Sequence, residues 1–218
     1  MDIADLVHAV VAAVKQALRH PTGRVNGLRT NGLAALAALA IASGAASACG
    51  LEDPNSVAAQ RGALQLAYPK ALHVGTAVWQ AQLAGALPRD ALAQRGDLSP
   101  EARSRLRLIK ANALIGRLAD RLNGEPTGVP HPGLAIVLVG PVMWSRFDAG
   151  DGPVKAQVHV AGPERGDVVA VTEIAVVEAI ADGSLDIATA IDRGLLRLYG
   201  DPADVGAAHA WLAASTRG

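Results

Sequence analysis

The sequence predicts an α+β protein, in which an N-terminal all-helical region precedes a five-stranded mixed sheet covered by helices. Two observations support this fold class. Up to residue 122, apolar residues recur every three or four positions, which places them on one side of a helix. After residue 133, short apolar or alternating runs are separated by turns rich in glycine, proline and aspartate, as strands are.

Residues 124–133 separate these two patterns. This stretch contains three prolines and three glycines, residues that interrupt both helices and strands. We therefore predict two parts: residues 1–124 as an alanine-rich helical region of unknown role, and residues 125–218 as an α+β domain.

Composition excludes several classes of function. The 218 residues carry 20 basic and 20 acidic side chains, so no bulk charge points to nucleic acid. The single cysteine, Cys49, cannot form an internal disulfide, and no cysteine or histidine spacing is typical of zinc. No nucleophile elbow, phosphate loop, dinucleotide fingerprint or zinc-protease motif occurs. We therefore expect no catalytic residues, no metal, no cofactor and no enzyme activity.

The first fifty residues are expected to form two helices. Residues 2–20 carry a single apolar stripe, and Pro21 ends it. The second helix begins at Leu33 and is mostly alanine, so another backbone could approach it closely. Packing within the chain would bury these two surfaces; the alternative is a contact through residues 1–50, either with another copy of the chain or with a protein partner.

Residues 32–48 also resemble an export signal, because they are uncharged and end in small residues before Cys49. The segment is short and mostly alanine, and its basic residues follow a complete helix instead of opening the chain. Ala46 stands where a lipoprotein signal has a large aliphatic residue. We therefore expect a cytoplasmic protein with, at most, peripheral contact with a membrane.

Three further helices are predicted before the linker. Asp53-Pro54-Asn55-Ser56 starts the first, Pro69 interrupts it, and helical spacing resumes from Leu72 to Leu83. Ser99-Pro100-Glu101 starts the third, which runs to Asn123. Its apolar side is predicted to include Leu106 and Ile109, and its many basic residues are interpreted as a solvated face.

The C-terminal part contains a distinctive run of strands, helices and glycines. Residues 134–139, 142–147, 154–159, 168–172 and 195–199 are the five predicted strands. Between the last two, Gly183 ends one helix, Ser184 or Asp186 starts the next, and Gly194 ends that one. Residues 202–214 are predicted to form a final helix.

The glycine spacing in this run resembles the C-terminal part of the sterol carrier protein type 2 family. The motif "G-x-hydrophobic-x-x-x-x-A" falls on Gly183, Leu185 and Ala190. The motif "G-x-L-x-hydrophobic-x-G-D" matches a second set of residues: Gly194, Leu196, Leu198, Gly200 and Asp201. The resemblance covers residues 133–215, and the N-terminal half departs from the family pattern.

The resemblance implies a sheet and a helical layer with an apolar tunnel between them. It therefore implies that the protein binds or carries an apolar lipid, such as a fatty acyl, sterol-like or isoprenoid molecule, without chemistry. The residues expected to line the tunnel, and equally suited to a closed core, are Val169, Val171, Ile180, Ile187, Ile191, Leu196 and Leu198. The alternative function is a scaffold or accessory subunit that uses the N-terminal helices as its contact surface.

Overall fold

A computed structural model describes residues 56–124 and 130–215 of the chain. The chain divides into two compact units, residues 1–45 and 46–218, and the described residues belong to the second. The two predicted N-terminal helices, the Cys49 signal and residues 125–129 of the linker lie outside the described residues. The partner contact through residues 1–50 and the predicted boundary at residue 124 stay predictions.

Three α-helices precede the sheet: α1 (Val57–Ala67), α2 (Ala71–Leu83) and α3 (Pro100–Leu122). The break between α1 and α2 contains Pro69, as predicted, and Lys70 turns the chain there with a positive φ of 70°. A short 3-10 helix, Ala91–Gln94, precedes α3. The Ser99 side chain accepts a hydrogen bond from the backbone N–H of Ala102, so the predicted N-cap of α3 is confirmed.

The sheet has five strands: β1 (Leu134–Leu138), β2 (Met143–Phe147), β3 (Ala156–Val160), β4 (Val168–Thr172) and β5 (Arg197–Tyr199). Their spatial order is β3-β2-β1-β4-β5. The β1–β4 pair is parallel and the other pairs are antiparallel. The central strands β1 and β4 are buried at every residue, as strands covered on both faces are.

Three helices follow β4 or β5: α4 (Ile174–Ala181), α5 (Ile187–Asp192) and α6 (Pro202–Ser215). Gly183 and Gly194 follow α4 and α5 with φ of 81° and 67°, a left-handed conformation in which a side chain is strained. Asp186 is the N-cap of α5, because its side chain accepts from the backbone N–H of Thr189.

The two faces of the sheet have different neighbours. Paired residues of neighbouring strands share a face, so Trp144 and Tyr199 lie on one side, here called the tyrosine face. The ring of Tyr68, just after α1, lies 6.0 Å from the Trp144 ring and 5.4 Å from the Tyr199 ring. On the opposite side, here called the threonine face, the Thr172 hydroxyl donates to the backbone carbonyl of Leu195 at 3.0 Å.

The structure confirms the predicted fold class: helices and a five-stranded mixed sheet in an α+β arrangement. Two local predictions are wrong. Leu195 and Leu196 precede β5 instead of belonging to it, because the chain is still turning after Gly194. Leu106 and Ile109 are 39% and 58% exposed, since the buried side of α3 is formed by residues further along the helix.

Candidate functional site

A cavity of about 500 Å³ lies where the parallel strands β1 and β4 end and α1, α2 and α3 come close to them. Gly140 and Pro141, soon after β1, and Glu173, directly after β4, form part of its wall. The carboxyl ends of parallel strands meet at one edge of a sheet, where the following loops diverge and leave room for a ligand. The topology therefore brings these two chain segments together.

Apolar side chains form much of the wall. They come from α1, α2 and α3 and from the start of α4: Val57, Val78, Trp79, Ala111, Ile174 and Ala175. Trp79 is 58% exposed, so its ring belongs to the rim and not to the floor. Such a wall favours the hydrocarbon part of a ligand, because apolar area is removed from water on binding.

Glu173 is the acidic group of the wall beside these strand ends. Its Oε2 accepts a hydrogen bond from the backbone N–H of Gly140 at 3.1 Å. Desolvation by burial raises the pKa of Glu173, while the Gly140 bond and the charge of Arg61 act in the opposite direction. A Cβ added to Gly140 would lie only 3.0 Å from Oε2 of Glu173, so a glycine leaves room for this carboxyl group.

Arg61 reaches the same place from α1. Its Nε donates to the carbonyl of Val139 at 3.1 Å, and its Nη2 donates to the carbonyl of Gly140. These two bonds fix the guanidinium against the end of β1, because its donors form a rigid fork. The site thus holds a cation and a carboxyl group on either side of one peptide unit.

Two ion pairs lie beside the cavity. Arg107 of α3 contacts Asp90 at 2.9 Å, and Lys110 of α3 contacts Glu178 of α4 at 2.8 Å. Arg107, Lys110 and Asp90 line the cavity. These two basic residues of α3 are partly exposed, and each also faces an acid from another element. The pairs restrain α3 beside the cavity.

The arrangement can hold a molecule that has an apolar body and a polar end. Arg61 supplies a fixed hydrogen-bond donor group, and Glu173 can accept, or donate when protonated. Within residues 56–124 and 130–215, no group of three or more histidine, cysteine, aspartate or glutamate side chains is arranged to hold a metal.

The residues predicted to line a lipid tunnel occupy several places. Val169 and Val171 lie on the tyrosine face, whereas Leu198 lies on the threonine face. Ile180 belongs to α4, Ile187 and Ile191 belong to α5, and Leu196 precedes β5. Ile191 and Leu198 are half-buried and the other five are buried. None of the seven lines the cavity, and their role in binding stays a prediction.

Sequence reasoning misses Glu173 and Arg61. The sequence marks Glu173 only as the start of a helix, and Arg61 as one of several polar residues of α1. A weak signal is present for the acid, because Glu173 directly follows β4, whose residues are all apolar or β-branched. Nothing near Arg61 in the sequence indicates that it would contact residues 139 and 140. Helical spacing favours a core position for Trp79, but this side chain lies at the rim.

The described residues thus form an α+β protein with a cavity at the carboxyl ends of two parallel strands, and the wall of this cavity is partly apolar and partly charged. No protein-family model matches the chain, and no curated protein does so. Among solved structures, the chain is similar to the crystal structure of sterol carrier protein 2 like 2 from Aedes aegypti. That similarity has 23% sequence identity and a TM-score of 0.36, and it covers 48% of this chain and 96% of the other.

No helix among the described residues is both long enough and apolar enough to cross a bilayer.

Proposed function

We propose that this protein binds and carries an amphiphilic lipid, without chemical conversion, in the cavity at the ends of β1 and β4. The observation that carries the proposal is a wall with a large apolar part, beside which the Arg61 guanidinium and the Glu173 carboxyl group meet at the strand ends. The hydrocarbon part would lie against Val78, Ala111 and Ile174, and the polar end would lie near Arg61 and Glu173. The glycine motifs that resemble the sterol carrier protein type 2 family support the same class of ligand.

The size of the cavity supports this ligand class. A volume of about 500 Å³ falls within the range of small-molecule sites, which span roughly 300–1,000 Å³. The fixed polar groups would orient one end of the ligand, since a polar group that enters an apolar site without a partner loses its hydrogen bonds to water.

Lipid analysis of the purified full chain tests the proposal. Organic extraction followed by mass spectrometry should recover a bound lipid, and a fluorescent fatty acid should titrate to saturation. If extraction yields no lipid and neither a fluorescent fatty acid nor a fluorescent sterol binds, carriage of a lipid is excluded.

Two matched variants test the position of the ligand. Gly75 of α2 lines the cavity. A Cβ added to Gly75 would lie 3.5 Å from Oε1 of Glu173, which is an ordinary van der Waals distance. Gly62 of α1 is an exposed helical glycine with open space at that position. Gly75→Leu should block ligand binding, whereas Gly62→Leu should leave it unchanged. Binding that survives Gly75→Leu but is lost in Leu198→Asp would instead place the lipid at the sheet.

A further inference from the structure

The outer side of α2 exposes three large apolar side chains. Leu72, Trp79 and Leu83 are 37%, 58% and 54% exposed. Their spacings of seven and four residues place them on one side of the helix. A tryptophan with two leucines on one exposed helix face is an arrangement that contacts the interface of a bilayer.

A shallow groove of about 380 Å³ runs along one flank of this apolar face. His73, Thr76 and Gln80 of α2 form one wall, and Arg193, Gly194 and Arg197 form the other. No carboxylate of the described part of the chain lines the groove. Its polar side chains are either cationic or able to donate hydrogen bonds, which suits a phosphate oxyanion.

Among the residues of the groove, Arg197 indicates most clearly that an anion would bind there. Its Nε is buried and has no hydrogen-bond partner among the described residues. Its Nη2 lies 3.7 Å from the position of a Cβ at Gly194, so the guanidinium lies close to the turn after α5. A buried donor without a partner loses its hydrogen bond to water, and an oxyanion bound to this guanidinium in the groove would offset that loss through attraction between the charges.

The apolar face lies between the groove and the cavity. Thr76 and Gln80 line the groove, whereas Gly75 and Gln82 of the same helix line the cavity. Trp79 belongs both to the apolar face and to the rim of the cavity. A surface that contacted this face would therefore reach the mouth of the cavity and the groove at the same time.

We propose that the outer side of α2 docks on a lipid bilayer that carries anionic phosphate headgroups. The phosphate of one headgroup occupies the groove, and Leu72, Trp79 and Leu83 enter the interface. Because two arginines line the groove and no acidic side chain of the described residues does, the groove should bind an anionic surface more strongly than a neutral one. This docking does not require the cavity to hold a lipid, so it can fail or succeed independently of the proposed function.

Vesicle binding of the full chain tests the proposal. Vesicles of phosphatidylcholine mixed with phosphatidylglycerol should sediment with the protein, and vesicles of phosphatidylcholine alone should not. The double variant Arg193→Gln/Arg197→Gln should weaken binding about 30-fold. The control Lys155→Gln/Arg165→Gln removes the same charge from exposed residues that flank β3, at the opposite edge of the sheet, and should bind as the unchanged protein does.

Fluorescence separates docking from loose electrostatic attraction. The chain has three tryptophans, and Trp79 is the exposed one among them. Its emission should shift to shorter wavelength on the anionic vesicles, and Trp79→Phe should abolish the shift. Leu72→Ser/Leu83→Ser should weaken binding, and its unchanged denaturation midpoint would show that the fold is intact.

Several results would overturn the proposal. The first is equal binding of the protein to the two kinds of vesicle. The second is an equal loss of vesicle binding in Arg193→Gln/Arg197→Gln and in the control Lys155→Gln/Arg165→Gln. The third is a dimer in gel filtration that Leu72→Ser/Leu83→Ser dissociates, because a second copy would then cover the apolar face. Inorganic phosphate that protects the protein against heat while anionic vesicles do not bind would also refute membrane docking.

Discussion

The backbone N–H of Gly140 donates to Oε2 of Glu173 at 3.1 Å, and this bond joins the chain segments that follow β1 and β4. The carbonyl of the same Gly140 accepts from Arg61. One residue therefore connects a carboxyl group from one side of the cavity with a guanidinium from the other. The ends of two adjacent parallel strands and the helix α1 are held together at this point.

The carboxyl group of Glu173 should make stability depend on pH. Because burial raises its pKa, the folded protein holds this proton at pH values where the unfolded chain has released it. The free energy of unfolding should therefore fall as pH rises from the ordinary glutamate pKa to the raised one. Glu173→Gln should remove this decrease, and urea unfolding at a series of pH values measures it.

Glu101 provides a control, because its pKa is shifted in the opposite direction from that of Glu173. Hydrogen bonds from its own backbone N–H and from the Ser99 hydroxyl lower its pKa, so its ionised form favours the folded state. Glu101→Gln should lower stability above the ordinary pKa of a glutamate, where the unchanged protein gains from the ionised group. If Glu173→Gln and Glu101→Gln changed the pH dependence in the same direction, the assigned burial of Glu173 would be wrong.

The sequence predicts the features that depend on neighbouring residues better than those that depend on residues far apart in the chain. Local signals act within a few residues, so Gly183, Gly194 and Ser99 are predicted at the ends of helices where the structure has them. Asp186 is one of the two residues predicted to start α5, and the structure has it as the N-cap. The strand β4 is predicted at its observed bounds because all of its residues are apolar or β-branched and because Gly166 and Asp167 precede it.

The site is not predictable in the same way. Arg61 and Glu173 come together only because β1 and β4 pair in parallel and α1 lies across their ends. No periodicity in the sequence encodes that pairing. The exposed Ile109 shows the same limit, since helical spacing alone fits it to the apolar side of α3, whereas the elements packed against α3 bury other positions.

Removal of the Arg61 side chain should destabilise the protein. Arg61→Ala leaves the carbonyls of Val139 and Gly140 without their present donors, and an unsatisfied buried group costs about 1–3 kcal/mol. Arg61→Lys should recover only part of this, since an ammonium lacks the fork that reaches both oxygens. The denaturant midpoint measures each change, and exposed Arg165→Ala is the control. An Arg61→Ala variant as stable as the control would contradict the proposed fixing of α1.

Arg146 of β2 should matter more than other paired arginines. It contacts Asp148, Glu164 and Asp167, and the Asp167 side chain is only 3% exposed. Arg146→Ala should cost about 2–3 kcal/mol, because it leaves the Asp167 carboxylate buried without its cation. Arg95→Ala breaks the solvent-exposed pair with Asp97 and should leave the urea midpoint unchanged. Equal losses in both variants would show that the Asp167 carboxylate is solvated.

The packing of α3 yields a prediction about how the chain folds. This helix contacts α4, β3 and α6, and Lys110 pairs with Glu178 of α4. Asn123, just after α3, donates to the carbonyl of Val154 at 2.9 Å and accepts from its N–H at 2.6 Å. A fragment of residues 125–218 would lose all of these contacts and expose the apolar residues beneath α3.

We therefore expect the fragment 125–218 to lack a cooperative thermal transition by circular dichroism, whereas residues 46–218 should melt in one step. The predicted boundary at residue 124 implies the opposite result, namely an independently folded C-terminal domain. The change Asn123→Ala in the full chain gives a finer test, since it removes both bonds to Val154 without deleting a helix. A stable, well-dispersed fragment 125–218 together with an Asn123→Ala variant of unchanged stability would show that α3 is dispensable for folding of the sheet.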